Sequence, residues 1–304
     1  MKRVVFMGTP AYATTILKAL VNSCEFEVVG HYCQSDKPVG RKQILTPPHT
    51  KAYIVENELN IPIFQPITFK NKEVEDSLKE LKADFIVVAA YGKILPLNIL
   101  NIAPCINLHA SILPKYRGAS PIQDAIVNQD KLSGVTAINM EEGLDSGDIL
   151  AISYLNIENM NAIELFERLA DMASDLIIDV LKNYANIMPQ KQNELRVTHS
   201  KKISKDDGLV SFDDASKLYA KYLGYIFWPG IYLKSGLKLK EMELVESESI
   251  NKSGEILKVE KDFIVVACIK GSLKISLLQP PSKKLMKAVD YIRGKRLNIG
   301  DSLS

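Results

Sequence analysis

RVVFMGTPAYATTILKAL, residues 3–20, is the stretch whose reading sets the architecture. The run Arg3–Met7 is a short, largely apolar strand, and Gly8-Thr9-Pro10 ends it with a turn. From Ala11 to Val21 the residues Ile16, Leu17 and Leu20 recur at helical spacing on one face. Strand, turn and helix then repeat along the chain. Glu27–Tyr32 and Ile61–Phe64 read as strands and Asn71–Leu81 as an amphipathic helix. DFIVVAA, residues 84–90, is a continuous apolar run of the kind buried on both faces of a parallel sheet. The alternation predicts an α/β fold: an N-terminal Rossmann-like parallel sheet with helices on both faces.

Further strands are expected at Ala103–Leu108, Gly134–Met140 and Ile149–Leu155, with helices at Ser120–Asn128 and Ala162–Lys182. They complete a catalytic domain over residues 1–183. Residues 184–205 contain Pro189, lack periodicity and read as a linker. In residues 206–304 a helix at Ala215–Leu223 precedes short strand-like runs such as Lys238–Val245, Phe263–Ala267 and Leu273–Leu277, which predict a small C-terminal OB-like β-barrel.

The charge is unevenly spread. Over residues 1–199, 19 basic residues stand against 23 acidic ones, net −4; over residues 200–304, 19 stand against 13, net +6. A basic C-terminal third suits a polyanionic partner, or a solvated lysine-rich surface. The four cysteines are scattered without a C-x-x-C pair, which fits neither a zinc site nor a disulfide framework and predicts a reducing cytoplasm. No apolar run approaches the ~20 residues of a membrane helix, and no G-x-x-x-x-G-K-[ST] phosphate loop occurs.

The chemistry concentrates in INLHASILPKYRGASPIQDA, residues 106–125. Asn107 and His109 stand two apart at the end of a buried strand, where same-face neighbours are about 6.6 Å apart and both tips can reach one small reacting group. Strand ends of this kind are where open α/β sheets place ligands. Singly, Asn107 could be a turn former and His109 a structural histidine. EEGLDSGDIL, residues 141–150, adds Asp145 in a glycine-punctuated turn, where it could equally be a plain turn residue. If Asp145 turns back toward His109, the set suits acyl transfer to an amine. Asn107 and His109 would donate to the charge developing on a carbonyl oxygen, and Asp145 would orient the imidazole and take up the amine proton. No G-x-S-x-G and no Cys/His pair supplies a nucleophile, so the amine of the substrate is expected to attack directly.

This pattern resembles the 10-formyltetrahydrofolate-dependent formyltransferases, which carry an Asn-x-His pair, a Ser-Leu-Leu-Pro-type loop and a later Gly-Leu-Asp-x-Gly-Asp turn. Here they read Asn107-Leu108-His109, Ser111-Ile112-Leu113-Pro114 and Gly143-Leu144-Asp145-Ser146-Gly147-Asp148. The resemblance implies Asn107, His109 and Asp145 as catalytic residues and 10-formyltetrahydrofolate as co-substrate, with no metal. It further implies Ser111, Ile112, Leu113 and Pro114, with Val88 and Tyr91 from the strand-end segment, as the folate pocket. Gly8-Thr9-Pro10, the Asp36–Arg41 segment, Gln65-Pro66 and Trp228-Pro229-Gly230 resemble the branch of the family that formylates methionine-charged initiator tRNA for translation initiation. In that branch the counterpart of the Ser35–Lys51 loop holds the tRNA acceptor end. Lys37, Arg41, Lys42, Lys202 and Lys205 are accordingly expected to touch tRNA, in a monomeric enzyme. Two rival readings remain at this stage: a formyltransferase acting on an amino-sugar nucleotide, and a non-catalytic RNA-binding protein on the same scaffold.

Overall fold

The structure is a computed structural model and describes residues 1–40 and 42–303. Arg41, expected at the tRNA contact, lies outside the described residues. The chain divides into two compact units: Met1–Pro121, Leu132–Asn156 and Phe166–Ser200 form the first, and Ile122–Lys131, Ile157–Leu165 and Lys201–Ser304 the second. Against the expected domains 1–183 and 206–304 with a linker at 184–205, two stretches within residues 1–183, Ile122–Lys131 and Ile157–Leu165, group with the second unit.

The first unit opens with β1 (Lys2–Gly8), α1 (Ala11–Asn22) and β2 (Phe26–Tyr32). A small hairpin of β3 (Lys37–Val39) and β4 (Ile44–Thr46) follows, then α2 (His49–Glu56), β5 (Ile63–Phe64), α3 (Lys72–Glu80), β6 (Phe85–Ala89), α4 (Leu97–Leu100), β7 (Cys105–His109) and β8 (Arg117–Gly118). After α5 (Pro121–Val127), which from Ile122 on belongs to the second unit, come β9 (Leu132–Asn139), β10 (Ile149–Asn156), α6 (Ala162–Asn183), whose first four residues are also in the second unit, and β11 (His199–Ser200).

Seven strands form one sheet in the order β10-β9-β7-β6-β1-β2-β5. Val4, Val5, Phe6 and Met7 of β1 are fully buried and every residue of β6 is buried, as strands covered on both faces must be. The part from β7 to β5 is parallel; β9 runs antiparallel to both β7 and β10. The expected parallel sheet thus holds from β7 to β5, and β10 runs antiparallel to β9 because the two are consecutive and joined by the Met140–Asp148 turn, with no crossover helix between them.

Register positions the site. Gly8 pairs with Ala89 across β1 and β6, and Val88 with Asn107 across β6 and β7. The carboxyl ends of the three strands therefore share one edge, and the strand order reverses between β1 and β6, the position at which such sheets bind ligands. Thr50 of α2 ties down this edge: its hydroxyl donates to the Gly8 carbonyl at 3.1 Å and so must accept from His31 Nε2, 2.9 Å away. His31 Nδ1 is buried without a partner, and burial lowers its pKa to about 4.

Residues 184–205, expected as a linker, are ordered structure up to Ser200. The Gln190 backbone exchanges hydrogen bonds with Ile149 at 2.8 and 2.9 Å, and β11 pairs in parallel with β8. The segment is rich in polar residues because they hydrogen-bond the loops beneath them, and polarity of that kind reads as linker in sequence.

The second unit holds α7 (Ala215–Gly224), β12 (Ile231–Tyr232), β13 (Lys238–Ile250), β14 (Ile256–Val259), β15 (Ile264–Ala267), β16 (Lys270–Gln279), β17 (Met286–Lys287) and α8 (Ala288–Lys295). Its antiparallel sheet runs β12-β13-β16-β15-β14, with β17 on β16. The pairing of β13 with β16 shifts register in four places, which bends the long strand. Leu239, Met242, Ile264, Leu273 and Ile275 line the concave core with Leu218 of α7 and Ile292 of α8. No helix among the described residues is long and apolar enough to cross a membrane.

Candidate active site

Asn107 and His109 occupy alternate positions of β7 and so face the same side of the sheet. Asp145 reaches them from the turn between β9 and β10, where its backbone is left-handed at φ 50°. The Asp145 carboxylate accepts from Asn107 Nδ2 at 3.1 Å (Oδ1) and from the Gly118 N–H at 2.9 Å (Oδ2). His109 Nδ1 stands 3.5 Å from Oδ2. The structure thus brings all three sequence-predicted residues together, at side-chain exposures of 7% for His109 and 13% for Asp145.

His109 Nε2 lies 2.8 Å from the Tyr116 carbonyl. A carbonyl only accepts, so Nε2 carries the proton and Nδ1 is the nitrogen presented to Asp145. Sequence reasoning has Asn107 and His109 sharing donation to the developing charge. In this geometry both ring nitrogens face protein groups, and the second amide hydrogen of Asn107 is the donor that no other described residue takes.

The loop after β7 is clamped at both ends. The Ser111 N–H donates to the His109 carbonyl at 2.9 Å, Ser111 Oγ to the Lys115 carbonyl at 2.6 Å, and Thr136 Oγ1 to the Ser111 carbonyl at 2.6 Å. Further on, the Arg117 N–H bonds the Thr198 carbonyl at 2.9 Å. Gly118 is in the left-handed half of conformational space at φ 125°, and a Cβ there would lie 2.2 Å from the Ser200 carbonyl oxygen. Only glycine brings this N–H to Asp145.

Sequence reasoning missed the group that supports Asp145. Gln192 Nε2 donates to the carbonyls of Asp145 at 2.7 Å and Gly147 at 2.9 Å. Its Oε1 accepts from Arg117 Nε at 3.0 Å and Nη2 at 2.9 Å. Arg117 also pairs with Glu194 at 2.7 Å, which holds the Glu194 carboxyl below its ordinary pKa. The only hint in the sequence is a buried-type Arg-Gly pair after Tyr116; the partners 75 residues on leave no local pattern.

Of the residues expected to line a folate pocket, Ser111, Leu113, Val88 and Tyr91 are buried, and Ile112 and Pro114 are half-buried. Val88 is the cross-strand neighbour of Asn107. Tyr91 packs edge-on against Phe69 with centroids 6.0 Å apart, and its buried hydroxyl has no partner, so burial pushes its pKa up. The Tyr91 carbonyl accepts from Thr9 Oγ1 at 3.2 Å and Gln34 Nε2 at 3.1 Å, which fixes the end of β6.

The lysines expected at tRNA do not form one cluster in the first unit. Lys37 and Lys42 are exposed on the β3–β4 hairpin among Val39, Ile44 and Leu45, which are themselves 56–66% exposed, so the hairpin is as apolar as it is basic. Lys51 at its base is bound to Asp36 at 2.9 Å and to Gln65, and the hydrogen bonds that Lys51 and Gln65 Nε2 donate to Asp36 lower its pKa. Lys202 and Lys205 are exposed and belong to the second unit.

Two family models match the chain: formyl transferase over residues 1–181 and formyl transferase, C-terminal domain, over residues 202–296. A methionyl-tRNA formyltransferase of a Nitratiruptor species is 55% identical over 301 residues, 99% of each chain. One of Helicobacter pylori is 52% identical over 303 residues, covering 99% of this chain and all of the relative. Among solved structures, an N-formyltransferase from Helicobacter canadensis in complex with folinic acid and dTDP-3-aminofucose shares the fold at TM-score 0.69 and 18% identity, over 92% of this chain and 100% of that one. A methionyl-tRNA formyltransferase from Clostridium thermocellum does so at TM-score 0.54 and 21% identity, over 89% and 100%.

Proposed function

The chain belongs to the methionyl-tRNA formyltransferases, and on that premise we propose that Asn107, His109 and Asp145 act together on a formyl group presented by 10-formyltetrahydrofolate. The enzyme transfers a formyl group to the α-amino group of methionine on initiator tRNA, giving the formylmethionyl-tRNA used to begin translation. The observation that carries the mechanism is the Asp145 carboxylate, held between Asn107, Gly118 and His109 at the carboxyl edge of the sheet.

The donor set and its surroundings fit a formyl-folate. An amide N–H at the strand end sits beside the apolar Val88, and the clamped Ser111–Pro114 loop supplies a fixed wall. Ser111, Ile112, Leu113, Pro114, Val88 and Tyr91 would hold the co-substrate, which supplies an electrophilic one-carbon unit at the formyl level. Asn107 directs its second amide hydrogen to the formyl oxygen as negative charge grows there, a preorganised contact worth about 10²–10³ in rate. The free α-amino group has an ordinary pKa of about 7.7–8.0, so part of it is neutral near pH 7 and ready to attack. The proton it sheds on forming the new C–N bond passes to Asp145, either directly or through His109 Nδ1, with Nε2 anchored to Tyr116; collapse of the tetrahedral adduct then breaks the bond from the formyl carbon to N10, and that nitrogen takes up a proton and leaves as tetrahydrofolate.

The net charge of +6 over residues 200–304 supports assigning the second unit to tRNA, with Lys202 and Lys205 in the contact and Lys37, Arg41 and Lys42 beside the acceptor end. The same reading makes the enzyme a cytoplasmic monomer that needs no metal. It is tested with purified protein, 10-formyltetrahydrofolate and methionine-charged initiator tRNA, scoring formylmethionine by mass beside uncharged tRNA and amino-sugar nucleotides. Product from the charged tRNA alone is expected; product from the amino sugar alone would overturn the substrate assignment.

A further inference from the structure

The turn after α7 exposes two large aromatic side chains side by side, Phe227 at 72% and Trp228 at 53%. It is a fixed turn: the Gly230 N–H donates to the Tyr225 carbonyl at 2.9 Å. It is also joined to the segment that begins the second unit. Tyr232 Oη donates to the Lys205 carbonyl at 3.1 Å and the Val210 N–H to the Tyr232 carbonyl at 3.0 Å. Gly208 packs so tightly on Pro229 and Gly230 that a Cβ would lie 2.9 and 2.2 Å from them. Lys205 is therefore carried next to this turn, with Lys201 and Lys202 a few residues before it on the same segment. All three are exposed, and none enters an ion pair with a described residue. Two acids follow on the same segment: Asp206, which is exposed, and Asp207, which accepts from the Ser204 N–H and hydroxyl at 2.6 and 2.8 Å, contacts that together with the charges of Lys221 and Lys201 lower its pKa.

We propose that Phe227 and Trp228 are a stacking platform for an unpaired base of the tRNA, flanked by the Lys201–Lys205 cations that hold its phosphates. The proposal rests on the tRNA reading above. Two exposed aromatic faces bordered by unpaired lysines match single-stranded nucleic acid in both components: a π-face for the base and positive charge for the backbone. The exposed pair has no work to do in the core of the second unit, and the catalytic machinery does not use it.

Trp228 is the only tryptophan of the chain, so its emission reports this surface alone. The intact enzyme is titrated with methionine-charged tRNA, following tryptophan emission and its quenching by acrylamide, with occupancy measured independently by filter retention. Bound tRNA is expected to quench the emission and shield it from acrylamide. Phe227→Ala and Trp228→Ala are expected to weaken tRNA binding ~10- to 100-fold while folate affinity and the salt slope of binding stay as in the parent, and Trp228→Phe to restore most of the loss. Unchanged emission and acrylamide access at full occupancy, with Phe227→Ala binding within twofold of the parent, overturns the platform and leaves the tRNA reading intact. Absence of any tRNA retention overturns that reading and the platform with it.

Discussion

Replacing Gln192 with Glu tests whether the placement of Asp145 depends on a side chain 47 residues away. The parent amide makes two donations to the Asp145 and Gly147 carbonyls, at 2.7 and 2.9 Å, and accepts two guanidinium N–H groups from Arg117. Glutamate keeps the acceptor for Arg117 but turns both donations into contacts between oxygens. Two amide–carbonyl bonds are worth about 1 kcal/mol each, and each carbonyl left facing an anion costs about 1–3 kcal/mol more. The strengthened pairing with Arg117 offsets about 1–2 kcal/mol of that, since Arg117 is already bound to Glu194. The net penalty of about 2–7 kcal/mol falls on the 145–147 turn, which relieves it by moving away. A shift of about 1 Å in a catalytic group costs about 10²-fold in rate. The expected variant is folded, unfolds at a lower temperature, and shows kcat down about 100-fold in single-turnover formylation with folate affinity within threefold of the parent. A folded variant with kcat within threefold of the parent would refute the dependence of Asp145 on Gln192.

Three further outcomes follow from the same geometry. Asp145→Asn keeps the left-handed turn, which asparagine tolerates, but sets an NH₂ group against the donor of Asn107 or of Gly118; kcat should fall about 10²- to 10⁴-fold with thermal stability nearly kept, and near-normal turnover would make Asp145 a turn residue only. Gly118→Ala meets both a φ of 125° and the Ser200 carbonyl at 2.2 Å, so urea unfolding should show a loss of about 2–4 kcal/mol together with lost activity, and an unchanged midpoint would contradict the glycine requirement. His31 has its pKa lowered to about 4 from 6.5, so its contribution is fully present above pH 6.5 and is lost as pH falls toward 4. About 3 kcal/mol of unfolding free energy should disappear over that interval in the parent but not in His31→Gln, and identical pH slopes for the two proteins would count against it.

What could be read from sequence was whatever is local. The i, i+2 pair Asn107 and His109 at the end of an apolar run, and Asp145 in a Gly-Leu-Asp-x-Gly turn, are patterns within a few residues, and each stands where the pattern puts it. Alternating apolar runs and helical periodicity likewise marked β1, α1, β2, β6 and α6. The direction of β9 was not legible, since GVTAINM reads the same in a parallel or an antiparallel neighbour. Gln192 and Arg117 were invisible for a different reason. Their identity matters only through a contact between distant segments, and a buried glutamine in a polar stretch looks like any solvated one.

The pairing of β11 with β8 bears on the order in which the protein is made. A ribosome that has released residues 1–183 has already delivered Asn107, His109 and Asp145, and the whole seven-stranded sheet can form. Yet the amide that braces Asp145 and the strand that fixes Gly118 are still inside the exit tunnel. The nascent enzyme therefore passes through an interval in which it owns its chemical groups without being able to hold them still, and the interval closes only when Ser200 emerges. A fragment cut at residue 183 is frozen in that interval, whereas one ending just past Ser200 is not.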